Sequence, residues 1–244
     1  MDTQTQLGSE APTLAVTDLT MAMVEVAEAL SEAADLMASA RVVADAAVAL
    51  IPGVEEASVS LARRGVGIDT LASAGSLPDL ADAAQVQCGE GPCIQAAWQD
   101  KIARLDDTET DRTWPEFSRR ARALGIGSML SLQLSLPRLD EEDDRIGAIN
   151  TYAMRPHAFG ADSARVGLIL AVHASVGVGS AERESQLRTA LDSRDVIGQA
   201  KGLIMAQQQV SADEAFSLLV RQARDTNTRL RDLAATLVAG HRPG

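Results

Sequence analysis

The sequence predicts an α+β chain: a front part that mixes strands and helices, joined by a long helix to an all-helical tail. Three observations predict it. Ser128 to Leu136 (SMLSLQLSL) alternates leucines with polar residues, the period of a strand. From Val166 to Ile204 a line of residues recurs at alternating spacings of three and four, the period of one long helix. Past Leu187 the charge changes sign: eight Lys or Arg stand against six Asp or Glu, a formal +2, whereas the remainder is −14 within a net −12. Such asymmetry points to two modules with different partners.

Residues 1 to about 18 are polar and are expected to be disordered. From Thr20 to Leu50 apolar residues keep helical spacing, with a break expected near Ala38 and Ser39, Ser39 capping a second helix that ends at Pro52-Gly53. Ala57–Ala62 and Gly67–Ala74 read as strands, with Gly65 to Gly67 as their turn. Gly91-Pro92 opens a short helix running to Asp100, because proline in a first turn loses no internal hydrogen bond. Lys101–Leu105 reads as a strand and Thr113–Leu124 as a helix stopped by Gly125. Arg145–Met154 is the expected hairpin partner of the 128–136 strand, with the acidic Asp140–Asp144 as a solvated loop between them.

The long helix follows. Five of the twelve positions on its heptad line are His, Ser, Arg or Lys, so only part of it suits a dimer seam, and Gly177 and Gly179 mark a weak point or a close helix approach. Ser211 and Glu214 fit a capping box that opens the next helix. Ala212, Ala215, Phe216, Leu219, Val220 and Ala223 are expected to form its apolar face, with Arg221 and Arg224 pointing away. Leu230, Leu233, Ala234, Leu237 and Val238 define a last helix ended by Gly240.

The tail from Leu187 to Val238 carries LRTALDSRDVIGQAKGLIM, SADEAFSLLVRQA and NTRLRDLAATLV. It resembles the ANTAR domain, the RNA-binding module of AmiR/NasR-like transcription antitermination regulators. The resemblance implies a three-helix bundle that binds paired RNA stem-loops with short loops and favours an antiterminator over a terminator. It also implies dimerisation through the preceding helix. Arg194 and Lys201 lie seven residues apart on one helix side, and Arg221, Arg224 and Arg229 extend a basic surface that can neutralise phosphates. Gln199, Gln222 and Asn227 are available for base edges. Phe216 is the segment's only aromatic and is assigned to the apolar face, so stacking on loop bases is expected to fall to arginine. Ala200 and Gly202 are expected to serve close helix packing, and Lys201 is the leading single candidate.

The front part carries CGEGPCIQA (Cys88 to Ala96), RTWPEF (Arg112 to Phe117), the GIGSMLSLQL run and a strand ending GAINTYA. It resembles a GAF domain of the kind that precedes ANTAR in actinobacterial proteins. This implies a central antiparallel sheet flanked by helices, with a small-molecule pocket on one face. The domains expected are a disordered start over 1–18, a GAF sensor over 19–180 and an ANTAR domain over 181–240.

No ligand or cofactor is selected: a haem or bilin calls for a well-placed His or Cys, and neither His157 nor His173 offers one. Cys88 and Cys93 bracket Gly-Glu-Gly-Pro and form a candidate redox pair, with a lowered thiol pKa expected for Cys93 near a helix start. Two cysteines without a third ligand argue against zinc. No stretch reads as a membrane span and no signal peptide is evident, so a cytoplasmic protein is expected. The expected function is therefore a signal-responsive, non-catalytic regulator that binds RNA as a homodimer through the long helix. A free methionine sulfoxide reductase-like thiol enzyme and a dimerisation regulator without RNA are the alternatives. The first lacks the third cysteine on which that family usually relies.

Overall fold

The computed structural model describes residues 16–63, 67–136 and 146–240. They fall into two compact units divided between Arg183 and Glu184. The expected turn at Gly65, the acidic stretch Asp140–Asp144 and the first fifteen residues lie outside the described residues.

In the front unit, α1 (Val16–Glu32) and α2 (Leu36–Leu50) precede a hairpin of β1 (Glu56–Arg63) and β2 (Gly67–Ala74). Then come α3 (Pro78–Cys88), α4 (Pro92–Trp98), β3 (Ile102–Leu105), α5 (Pro115–Ala123), β4 (Ser128–Leu134) and β5 (Ile146–Ala153). The start of α6 (Ala161–Gln208) completes it. The strands form one antiparallel sheet in the order β2-β1-β5-β4-β3. As expected, β4 and β5 pair antiparallel, with Leu132 opposite Ile149.

Alternation along the strands feeds two cores. On one face Val59, Leu130, Leu132, Leu134 and Ile149 pack with α1, α2 and the Val166–Val178 part of α6. On the other face Met129, Ala148 and Tyr152 pack with α3, α4 and α5 through Ala81, Cys93 and Phe117. The second face is therefore also covered, and the polar residues that alternate with leucine in β4 point into it: Ser131 is fully covered and Gln133 partly so.

Local differences from the sequence reading have local causes. The helix break falls at 33–35, and Asp35, not Ser39, caps α2: its carboxylate accepts from the Ala38 amide at 2.8 Å. Ser39 is buried and its hydroxyl donates to the Asp35 carbonyl at 3.0 Å. Periodicity does not predict α3, because its inward face carries Asp82 and Gln85 beside Ala81 and Ala84. The close approach expected at Gly177 is present: a Cβ there would stand 2.8 Å from Leu30 Cδ1 of α1.

By length and composition α6 passes as a membrane-crossing helix, with an 18-residue window of mean hydropathy 1.4. Val166, Leu170, Ala171, Ala174 and Val178 nevertheless belong to the core of the front unit, whereas Leu168, Val172 and Val176 of the same run are exposed.

The second unit comprises the end of α6, α7 (Ala212–Asp225) and α8 (Leu230–Gly240). Ala200, Ile204, Ala215, Leu219, Ala223, Leu233 and Ala234 form its core. The expected capping box is present: Ser211 Oγ accepts from the Glu214 amide at 3.3 Å, and Glu214 Oε2 accepts from the Ser211 amide at 2.9 Å. Phe216 departs from the expected apolar face. Ala215, Leu219 and Ala223 are buried, whereas Phe216, at the edge of that stripe and only about 20° from Ala223 around the helix, is 43% exposed.

Candidate functional site

The eight basic and amide residues singled out in the tail do not share one surface. Arg194, Gln199 and Lys201 border an open hollow of ≈ 960 Å³ together with Ser193, Asp195, Ile197, Gly198 and Phe216. Arg224, Asn227 and Arg229 border a second hollow of ≈ 380 Å³ at the turn from α7 to α8. Asn227 takes φ 49 in that turn, a left-handed conformation that asparagine tolerates better than most residues. Arg221 borders a third with Asp213 and Glu214. Gln222 is exposed on α7.

The first hollow concentrates the most varied chemistry. Residues 194, 197, 198 and 201 follow the i, i+3, i+4, i+7 rule and so occupy one side of α6. Phe216 reaches the same hollow from α7. Two cations face one acid there. Gly198 and Gly202 are both exposed, and a Cβ at either would meet nothing within 4 Å. The packing role expected for Gly202 is thus absent within the described residues, whereas Ala200 is fully buried as expected.

In the front unit a polar cluster lies between the sheet and α3. Asp82 is 2% exposed and accepts from six side chains. Oδ2 receives the hydroxyls of Ser58 at 2.8 Å, Ser60 at 2.9 Å and Thr70 at 2.9 Å. Oδ1 receives Tyr152 Oη, Asn150 Nδ2 at 3.1 Å and, more weakly, Gln85 Nε2 at 3.4 Å. Burial holds the Asp82 carboxyl above its ordinary range, with the hydroxyl donors pulling it back. Burial and the neighbouring carboxylate raise the Tyr152 phenol well above its usual value.

The CGEGPC segment ties three helices together. Glu90 Oε1 accepts from the Glu116 and Phe117 amides at 2.7 and 3.0 Å, satisfying the free amides that open α5. Gln85 Oε1 accepts from the Cys93 amide at 2.8 Å. Gly91 has φ 139, and a Cβ there would fall 2.4 Å from Gln85 Oε1. Both thiols are free. The lowered pKa expected of Cys93 is reversed: burial, and then the Asp82 charge, push the thiol up, and the start of α4 does not offset them. Burial also raises Cys88. No three-residue group of His, Cys, Asp or Glu suited to a metal occurs among the described residues.

The family model for the GAF domain matches residues 26–178, and the model for the ANTAR domain matches residues 185–238. The chain belongs to the GAF-ANTAR regulators. Among curated proteins, none matches it. The GAF fold recurs in solved structures. The chromophore-binding domain of the bacteriophytochrome RpBphP3 from R. palustris is 14% identical over 69% of this chain and 64% of that one, with a TM-score of 0.51. This chain therefore spans just under two thirds of that relative's length. The GAF domain of a phosphoenolpyruvate-protein phosphotransferase from Coxiella burnetii is 15% identical over 70% and 98%, with a TM-score of 0.51. The free methionine-R-sulfoxide reductase from Neisseria meningitidis, solved with its substrate, is 15% identical over 69% and 92%, with a TM-score of 0.52. At such identities the likeness is one of fold. GAF and ANTAR domains are typically regulatory, which makes this chain a signal-linked regulator.

In the ANTAR domain, the sequence did not show that Phe216 and Gly198 border the same hollow as Arg194 and Lys201. In the GAF domain, sequence reasoning missed Asp82 and Glu90. Little that is local marks Asp82: Gln85 is three residues on, but its other five partners lie 12 to 70 residues away.

Proposed function

We propose that the ANTAR domain binds RNA stem-loops with short loops and regulates transcription by antitermination, under control of a small-molecule signal received by the GAF domain. The observation that carries this reading is the convergence of Arg194, Gln199 and Lys201 on one hollow inside the ANTAR match. Two cations supply phosphate neutralisation, and an amide supplies donors and acceptors for a base edge. Arg224, Asn227 and Arg229 form a second contact point at the α7–α8 turn, while Arg221 and Gln222 add exposed polar groups on α7.

The protein acts as a cytoplasmic homodimer through α6. Support comes from Leu187 and Leu191, 57% and 63% exposed on that helix in the ANTAR unit. Leucines left in water are stabilised by a second apolar surface. For the GAF input, a small molecule is favoured over oxidation of Cys88 and Cys93. A buried thiol with a raised pKa offers little thiolate, the species that reacts. The same property weighs against a reductase activity like that of the Neisseria protein.

The test is selection of RNA from stem-loops with randomised hexaloops, followed by a salt titration of the full chain with the winners. Retained loop preference as salt rises supports the reading. Affinity that fades equally for all loops shows a merely basic surface and overturns it.

A further inference from the structure

We propose that Phe216 and Gly198 together seat one unpaired base of the RNA loop, with the ring as stacking platform and the glycine as the floor beneath the nucleotide. This rests on the RNA-binding reading above and assigns the preference for an unpaired loop base to residues outside the basic set.

Three observations converge. Phe216 is 43% exposed although its helix has an ample apolar core to join, and exposing a phenyl ring to water is unfavourable unless something covers it. The ring borders the same hollow as Arg194 and Lys201, so a base placed on it has its flanking phosphates within reach of cations. Gly198 borders that hollow as well, in mid-helix, where glycine is the least favourable residue after proline. A Cβ at Gly198 would meet nothing within 4 Å. Packing inside the protein therefore does not account for the missing side chain, whereas close approach of an outside group does.

The partner chemistry follows from the mixture. A planar apolar face suits any nucleobase, because every base has a π-face. Cations beside that face suit a polyanion, and Gln199 offers an amide for a base edge. A second copy of the chain would bring apolar surface without the phosphates that Arg194 and Lys201 favour.

The experiment measures affinity of the full chain for a selected hexaloop RNA, and for the same RNA made abasic at each loop position in turn. Phe216→Leu is expected to weaken binding roughly 5- to 100-fold, the range for loss of one base stack. Phe216→Trp is expected to bind like the parent. Abasic substitution at one loop position should weaken the parent protein but add little to the Leu variant. Gly198→Ala should melt at or above the parent temperature and yet bind more weakly, an effect that does not depend on the phenylalanine variant folding. If Phe216→Leu and Gly198→Ala both bind as the parent does, the seat is overturned while RNA binding stands. If Phe216→Leu instead converts dimer to monomer in light scattering, the ring is a subunit contact and the seat is overturned. If the parent itself selects no hexaloop, the RNA-binding reading falls and the seat with it.

Discussion

Lys201 on α6 and Phe216 on α7 border one hollow although fifteen positions separate them in the chain. The pairing exists because Ala200 and Ala215, the residue before each, are both fully buried in the same core. Two small side chains bring the helices together and turn their neighbours outward onto a common surface.

Lys201 should therefore carry binding without carrying stability. Lys201→Glu is expected to abolish RNA binding while the chain keeps its melting temperature. The milder Lys201→Gln should weaken all stem-loops alike and lower the salt slope by about one. Gel-shift titration and circular dichroism on the same samples check both halves. Unchanged affinity in the Glu variant would remove Lys201 from the site.

Leu191 gives the test of assembly. Its side chain is 63% exposed, so Leu191→Glu removes no core contact. The variant is expected to run as a monomer in light scattering with its helix content intact. A persistent dimer would place the interface elsewhere.

The Asp82 cluster should be costly to disturb. Asp82→Ala leaves six donors facing a void and is expected to lower stability by about 3 kcal/mol in urea unfolding. Its titration carries a definite sign. The folded carboxyl is raised, so its stabilising contribution is complete below the unfolded pKa and is lost as pH rises through the folded one. Carbon-13 NMR should find this carboxyl titrating above the other aspartates.

The capping box predicts the opposite pH sense for the ANTAR unit. The Ser211 amide and hydroxyl hold the Glu214 carboxyl below its usual range, so this contribution is present above the unfolded pKa and lost as pH falls through the folded one. Ser211→Ala should destabilise α7 by about 1 kcal/mol and flatten that acid limb. Hydrogen exchange of the first α7 amides reports the loss directly.

Thiol chemistry separates the two cysteines. Cys93 is fully buried and should resist an aromatic disulfide reagent at neutral pH until the protein unfolds. Cys88, half-buried and with its pKa raised by burial, should react first but slower than a free thiol. Fast labelling of Cys93 in the folded protein would revive oxidation as the input.

The legible parts of the fold were those in which one periodicity held over many residues. The leucines of β4 announced a strand, the heptad line announced α6, and Ser211 with Glu214 announced the start of α7. What failed to show was polar burial. Asp82 and Gln85 left α3 without a helical signal, since a pattern of apolar residues cannot register a face satisfied by hydrogen bonds. In the ANTAR domain the basic residues were visible as types, but not their division among three hollows, which depends on how α6, α7 and α8 pack. Phe216 shares helical spacing with Leu219 and Ala223, and spacing does not show that the small alanines of that core leave the ring at its rim.

The saturation of Asp82 also sets terms for any visitor to that face of the sheet. Each carboxylate oxygen already holds three donors from the protein itself. A molecule that reached for it would have to evict a resident, and its net affinity would be the difference between two sets of bonds rather than the sum of the new one. Discrimination at such a position favours guests that replace what they displace, hydroxyl for hydroxyl or amide for amide, and turns away those that are merely the right size.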